Sequence, residues 1–305
     1  MKTLIISNSY DMTCDVLMEC LTPTRAFRLN YDLVKDYSIE ISPAGFRLSS
    51  SHQSVTDKEI SKVLWRKPFN EGFEIDTDED PYVVGETQYI FREVFNLLSL
   101  EGKRVFGWPS ADRRLGKLCQ MRAAAKYFTV PEYRLVHHDA PVFCPTSTIV
   151  KSLSSRVLKD GRVVYASDVT GQTLAPGYPW FTQTKVSAAF DVTSVFVVGR
   201  VFSFRLNRSL FDGLDWRKEV FEMGKLWDQC DLGLKTDDKI RAFMDEVGLT
   251  FGRIDFLAND KMRDLVFLEV NPNGQWGWLD PHRTNGLLEE IVSCLDPDNP
   301  KGFAC

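Results

Sequence analysis

Two carboxylates and an amide sit where a β-hairpin would gather them: Asp255 in LTFGRIDFLAND, and Glu269 and Asn271 in LVFLEVNPNGQW. Strand side chains alternate between faces, so Glu269 and Asn271, two residues apart, point the same way. A turn centred near Met262 sets Asp255 opposite Glu269, and the three oxygen donors converge. Their apolar neighbours Ile254, Phe256, Leu268 and Val270 are then expected to face a core. Hard oxygen ligands of this kind suit magnesium held between protein and nucleotide phosphates. Carboxylates embedded in strongly apolar strands are costly unless paired or bound to a cation. Pro272 ends the second strand, and Gly274 permits a tight backbone turn beyond it.

A magnesium nucleotide also needs cations for its phosphates and a pocket for its base. Lys117 falls on a helix, and Lys151 closes the apolar strand STIVK, which makes Lys151 the better phosphate candidate. The segment WFTQTKV, Trp180 to Val186, reads either as a connector whose backbone meets an adenine edge or as an ordinary edge strand. Arg205 follows strand VFSF, and Asp215-Trp216-Arg217 comes soon after. An Arg at these points can brace a transferring phosphoryl group or grip a substrate carboxylate with two hydrogen bonds. Asp215 and Arg217 share a face if that stretch is extended. There is no Walker A loop, no GxGxxG after a strand and no kinase HRD or DFG set. Neither His137-His138 nor the isolated His52 and His282 build a site. Trp276 and Trp278 suit core packing or a substrate wall.

The elements that must position these residues can be read from periodicity. KTLIIS is a strand, Asp11 to Leu21 a helix, Ala26 to Leu29 a second strand, and Lys62 to Trp65 a third that ends in Arg66-Lys67-Pro68. This alternation describes a small α/β unit with ligands at its strand ends. A loop from Asn70 to Pro81 and a helix from Tyr82 to Leu100 follow. Asp112 is placed to cap a helix reaching about Phe128, with Leu115, Leu118, Met121 and Ala125 on its apolar face. Strands are predicted at Thr148 to Lys151, Val163 to Ser167, Trp180 to Val186 and Val192 to Val198, the first three as an antiparallel sheet with turns at Asp160-Gly161 and Thr170 to Gly177. A strand at Val201 to Leu206, a helix at Asp237 to Val247 and the 251–271 hairpin complete the pattern.

The 305 residues suit two or three units of one enzyme, and 44% hydrophobic with 26% charged residues describes a globular chain. The net charge of −5 gives no overall field for nucleic acid or an anionic membrane. The apolar run before Ser7 at the N-terminus is too short for a signal peptide, and no window approaches a membrane span. Seven scattered cysteines without a CxxC pair argue against a disulfide framework or zinc site and favour the cytoplasm.

The segment LEVNPNGQWGW closely resembles the terminal metal-binding motif of the graspetide (microviridin-type) synthetases, ATP-grasp enzymes that macrocyclise ribosomal peptides. The likeness extends through SNSYDMTCD, FRLNYD, VLWRKPFN, GKLCQMRAAAKYFTVPEY, IVKSL and DWR. It implies an α/β (α+β) ATP-grasp fold with an N-terminal pre-ATP-grasp domain over 1–110, a central subdomain over 111–187 and a C-terminal subdomain over 188–305.

Carried over by position, the resemblance implies Lys117 and Lys151 at ATP phosphates, Gln183, Thr184 and Val186 at the adenine hinge, and Asp191 at the ribose. It implies Mg2+ on Asp255, Glu269 and Asn271. In the D-x-R element Arg217 would hold the acceptor carboxylate and Asp215 would assist the attacking nucleophile. The cofactors implied are ATP and Mg2+, and the partner is a precursor peptide of leader plus core, with no nucleic acid or membrane and with a homodimer as an assembly to test for. The expected activity joins Glu or Asp side chains to Ser or Thr hydroxyls or Lys amines. Two rivals are a ligase that adds an amino acid to a peptide or small acid, and an ATP- and peptide-binding protein without catalysis. One departure stands out: where many members carry an Arg before the VVG turn, this chain reads FDVTSVFVVG, with Thr193 and Ser194. Gly116 stands where an Asn is expected before Lys117.

Overall fold

The structure, a computed structural model, describes residues 1–69, 80–107, 115–137, 139–154, 165–216 and 226–299. The expected boundary at 110, the Asp112 cap, the Asp160-Gly161 turn, nearly all of the 70–81 loop and Arg217 lie outside the described residues.

The N-terminal part opens with β1 (Lys2–Ser7), helix α1 (Met12–Arg25) and β2 (Ala26–Asn30). Asp11 caps α1, accepting from the Thr13 and Cys14 amides at 2.9 and 3.4 Å. Regular helix stops where the sequence predicts, at Leu21, because Thr22 takes φ 62° ahead of Pro23. A meander of β3 (Ser38–Ser42), β4 (Gly45–Ser49) and β5 (Ser54–Thr56) follows, unforeseen because its strands are short and polar. Then come β6 (Ile60–Trp65), α2 (Pro81–Leu100) and β7 (Arg104–Phe106). Strands β2, β1, β6 and β7 form one parallel sheet in that order, so their C-terminal ends open on the same side.

Helix α3 (Lys117–Ala124) leads into the small central sheets, built from β8 (Tyr133–Val136), β9 (Val142–Phe143), β10 (Thr148–Val150), β11 (Ser167–Asp168), β12 (Thr173–Leu174) and β13 (Trp180–Thr184). The antiparallel order is β11-β10-β13-β8, so β13 is an inner strand rather than the edge strand it could have been. Ala125 lies beyond α3 and is exposed, and Gln120 takes a buried place on that helix instead.

The last sheet, all antiparallel, runs β16-β15-β14-β17-β18: β14 (Phe190–Val197), β15 (Arg200–Asn207), β16 (Asp228–Cys230), β17 (Phe251–Ala258) and β18 (Val266–Asn271). Helix α4 (Leu234–Glu246) and α3 cover one face, packing Met121, Phe243 and Met244 against Val192, Phe196, Ile254 and Phe256. On the other face Val195, Phe202, Phe204 and Leu206 share a core with α1 and with α5 (Leu287–Leu295). Helix α5 returns to the first sheet, where Lys62 Nζ donates to Cys294 O at 2.8 Å and Arg25 pairs with Asp296 and Asp298. The two ends of the chain are thus built into one body. No helix among the described residues is long and apolar enough to cross a membrane, and the six described cysteines form no disulfide.

Candidate active site

The hairpin register meets the sequence expectation at its centre. Asp255 pairs with Glu269 and Arg253 with Asn271, while Met262 sits in the turn with φ 55° and its amide on Asn259 O at 3.0 Å. One apolar neighbour differs. The register shifts after Asp255, so Phe256 pairs with Phe267, and Leu268 is the extra residue of a β-bulge. Phe267, not Leu268, is therefore fully buried, packing on Phe256 and Phe243. The bulge lets Phe267 enter the core while Glu269 stays on the face of Asp255.

Cross-strand partners share a face, which places Asp191, Thr193, Arg253, Asp255, Glu269 and Asn271 together. Thr193 Oγ1 donates to Asp255 Oδ1 at 2.7 Å, and Arg253 Nη2 donates to Asp255 Oδ2 at 3.0 Å. Lys117 Nζ lies 3.1 Å from Glu269 Oε2 and donates to Ser152 O at 3.0 Å, so it spans from the β17–β18 hairpin to the residue after Lys151. Gln120 fixes this arrangement: its Oε1 accepts from Val270 N at 3.0 Å and its Nε2 donates to Leu115 O at 2.8 Å, tying α3 to β18. Ser194, by contrast, faces the opposite side and bonds Ser203.

The NPNGQW segment is held from the N-terminal sheet. Arg66, at the end of β6 and 3% exposed, places Nε 2.9 Å from Asp11 Oδ2. Its Nη1 donates to Asn273 O and to Gly274 O at 3.1 Å, and its Nη2 to Gln275 Oε1 at 3.0 Å, which also accepts from Thr13 Oγ1 at 2.9 Å. SNSYDMTCD, VLWRKPFN and NPNGQW thus meet in one buried network. Gly274 is required there, since a Cβ would stand 2.5 Å from Arg253 Cβ; at Gly107, with φ 73°, one would stand 2.4 Å from Trp65 O. Asn271 Oδ1 accepts from Asn273 N at 3.0 Å and keeps a lone pair for a cation.

Asp191 is buried with its Oδ2 2.7 Å from Arg208 Nη1, and Arg208 Nη2 reaches Gly213 O at 3.1 Å. Burial pushes the Asp191 carboxyl up to about 6; Arg208 opposes this, while Asp255 and Asp215 add to it. Asp215 is itself buried and close enough to be felt at Asp191. Arg205 is not brought to this group. It pairs with Val192, which pairs with Phe256, on the far face of the sheet, and its guanidinium lies 5.3 Å from the Phe190 ring centroid. Phe202, Phe204 and Leu206 take the β15 positions on the α1 and α5 side, and alternation sends Arg205 to the opposite face with Val192. Arg253 and Arg208 are the guanidiniums that serve the carboxylates; the sequence signal for Arg253 was its placement two residues before Asp255 on the same strand.

In the central sheet Lys151 follows β10, its amide on Phe181 O at 3.1 Å. Gln183 is buried in β13 with Nε2 3.6 Å from Met121 Sδ and, among the described residues, no hydrogen-bond partner at Oε1, while Thr184 is exposed and Val186 half-buried in the link to β14. Trp276 is core, and Trp278 joins Trp216 and Trp227 in a trio with centroids 5.4 to 5.6 Å apart beside Arg253. An open cavity of about 730 Å³ lies elsewhere, between α1 and the β3–β5 meander, and includes none of these residues.

Among the described residues no three His, Cys, Asp or Glu side chains gather as an all-protein metal site. Two carboxylates with one amide suit Mg2+ instead, since it keeps water and takes phosphate oxygens as its remaining ligands. The donor set fits that ion.

Compared by sequence, the chain matches no family model and no curated protein. Among solved structures the likeness runs the whole length. The macrocyclase MdnC bound with precursor peptide MdnA, from Microcystis aeruginosa MRC, aligns with TM-score 0.77 at 20% identity over 97% of this chain and 99% of that one. A Chryseobacterium gregarium RiPP-associated ATP-grasp ligase, in complex with ADP and a leader and core peptide, gives 0.77 at 20% over 98% of each. The ATP-grasp ligase PsnB, with a phosphomimetic variant of its minimal precursor, Mg and ADP, gives 0.70 at 12% over 96% and 97%. The chain has the α+β ATP-grasp fold.

Proposed function

We propose that this protein is an ATP- and Mg2+-dependent macrocyclase of a ribosomally made precursor peptide. The observation that carries the reading is the pairing of Asp255 with Glu269 on a face that Lys117 reaches, in a chain similar along its length to a macrocyclase bound with a precursor peptide and to an ATP-grasp ligase in complex with a leader and core peptide.

In this reading Asp255, Glu269 and Asn271 hold Mg2+, which when bound neutralises phosphate charge. Lys117 and Lys151 orient the ATP phosphates, and the Gln183–Val186 stretch receives adenine. Asp191 is the ribose contact of this reading, and its pair with Arg208, which also reaches Gly213 O, braces the Asp215 loop. A peptide Glu or Asp carboxylate oxygen attacks the γ-phosphorus, ADP leaves, and an acyl phosphate forms. A Ser or Thr hydroxyl or a Lys amine of the same peptide then attacks the acyl carbon. Its proton is taken up with help from Asp215, phosphate leaves, and a lactone or lactam closes. Arg217 holds the acceptor carboxylate. The chain contributes positioning and charge rather than a covalent nucleophile. The division at 110 and 187, a cytoplasmic location and a homodimer belong to the same proposal.

The test is phosphate release. The purified chain with ATP and Mg2+ should release little phosphate alone, and one phosphate and one ADP per ring when its precursor is added. Release that is indifferent to peptide would overturn the reading.

A further inference from the structure

The three donors that would hold Mg2+ are not positioned alike. Asp255 and Glu269 face each other across the β17–β18 ladder, braced by Thr193 and Lys117. Asn271 is the last residue of β18, the outermost strand of its sheet, so its amide takes its direction from the turn that follows. Asn273 N donates to Asn271 Oδ1 at 3.0 Å, and Gly274 N donates to Asn271 O at 3.1 Å.

That turn is held from the opposite end of the chain. Pro272, Asn273 and Gly274 are buried, and Arg66, just past β6, donates through Nη1 to the Asn273 and Gly274 carbonyls and through Nη2 to Gln275 Oε1. Its Nε lies 2.9 Å from Asp11 Oδ2, and Asp11 in turn caps α1. Gly107, just past β7, completes the socket: a Cβ there would stand 3.5 Å from Asn273 Oδ1. The carboxyl ends of parallel strands are where such a sheet meets its ligands, and here β6 and β7 direct theirs at this turn. A buried ion pair gives little net stability over apolar packing of the same shape, so the Arg66–Asp11 pair is better explained by the geometry it fixes.

We propose that Arg66 is a positioning residue for magnesium: acting through the Asn273 and Gly274 carbonyls, it sets the Asn271 amide and so couples the metal affinity of the nucleotide site to the N-terminal sheet. The proposal rests on the magnesium reading of Asp255, Glu269 and Asn271 given above and is independent of the peptide. Groups that orient a metal ligand in this way are worth about 10- to 100-fold in metal affinity.

The full-length chain, with no peptide, is titrated calorimetrically with AMPPNP, once in Mg2+ and once in EDTA. Arg66→Lys keeps a cation for Asp11 but not the fork, and should weaken AMPPNP by about tenfold or more in Mg2+ and by less than about threefold in EDTA. Added to Asn271→Ala, the same substitution should weaken binding by less than about twofold further, because its route to the metal is already gone. A second measurement needs no variant and decides the matter if Arg66→Lys does not fold. Coupling is reciprocal, so Mg2+-AMPPNP should slow amide exchange in the wild type both at 271–276 and at the start of α1, where the Thr13 and Cys14 amides bond Asp11. Equal loss in Mg2+ and EDTA, no loss in either, additive loss on Asn271→Ala, or protection of 271–276 without the start of α1 overturns the proposal. A wild-type chain that binds AMPPNP no better in Mg2+ than in EDTA would instead overturn the magnesium reading itself.

Discussion

Replacing Arg66 with Met should loosen the 271–276 loop from the N-terminal sheet by an amount the structure allows to be worked out. The guanidinium is buried against Asp11, itself 5% exposed, and removing one partner from a buried ion pair costs about 3–5 kcal/mol. Asp11 keeps the Thr13 and Cys14 amides as donors, which favours the low end, about 3 kcal/mol. The Asn273 and Gly274 carbonyls lose their donor as well, adding roughly 1 kcal/mol. A total near 4 kcal/mol corresponds to about a thousandfold in an opening equilibrium. Hydrogen exchange read by mass spectrometry on a peptide spanning 271–276 reports this directly, because Gly274 N is bonded to Asn271 O at 3.1 Å. Protection there should fall by about a thousandfold, while peptides from α4 should change little. In a cycle with Asp11→Asn, the double variant should recover about 2 kcal/mol of the summed losses. A protection loss under about tenfold, or strictly additive effects, would refute the clamp.

Asp191→Asn tests the buried carboxyl. Its ordinary value of 3.8 is raised to about 6 in the folded chain, so its contribution to stability is full below pH 3.8 and is lost as pH rises through about 6. Between pH 4 and 7 the wild type should therefore lose roughly 3 kcal/mol that the Asn variant keeps, read from urea unfolding at each pH. Equal slopes for the two chains would contradict that. Glu269→Gln and Asp255→Asn should each lower ATP-dependent ring closure by at least about a thousandfold with circular dichroism unchanged; full activity in either removes the metal assignment. Arg205→Ala should leave ring closure within about threefold of wild type, since Arg205 occupies the far face. A large loss would mean that β15 contributes to the site after all.

The hairpin was legible because strand alternation and one turn fix a register, and Asp255 opposite Glu269 needs nothing else. The same alternation misplaced Leu268, since two adjacent apolar residues, Phe267 and Leu268, compete for one core position and only packing decides between them. Reading β17 for its apolar side hid Arg253, which belongs to the polar side with Asp255. Arg205 was misjudged because proximity along the strand says nothing about face until the inner row of Phe202, Phe204 and Leu206 is known. Arg66 with Asp11 and Gln275 was beyond local reading, as the partners lie 55 and 209 residues away from Arg66 and meet only when the parallel strand ends come together. Helix α5 was legible in the spacing of Leu287, Leu288, Ile291, Cys294 and Leu295 and went unread; only its packing against elements from the other end of the chain lay beyond the local sequence.

Ring closure in a peptide at the expense of ATP is the proposed function. The most direct measurement is intact-mass analysis of the precursor after incubation with the chain, ATP and Mg2+. The precursor should lose the mass of one water for each ring, dependent on ATP and absent with Glu269→Gln. An unchanged precursor mass, or a gain equal to an added amino-acid residue, would contradict it.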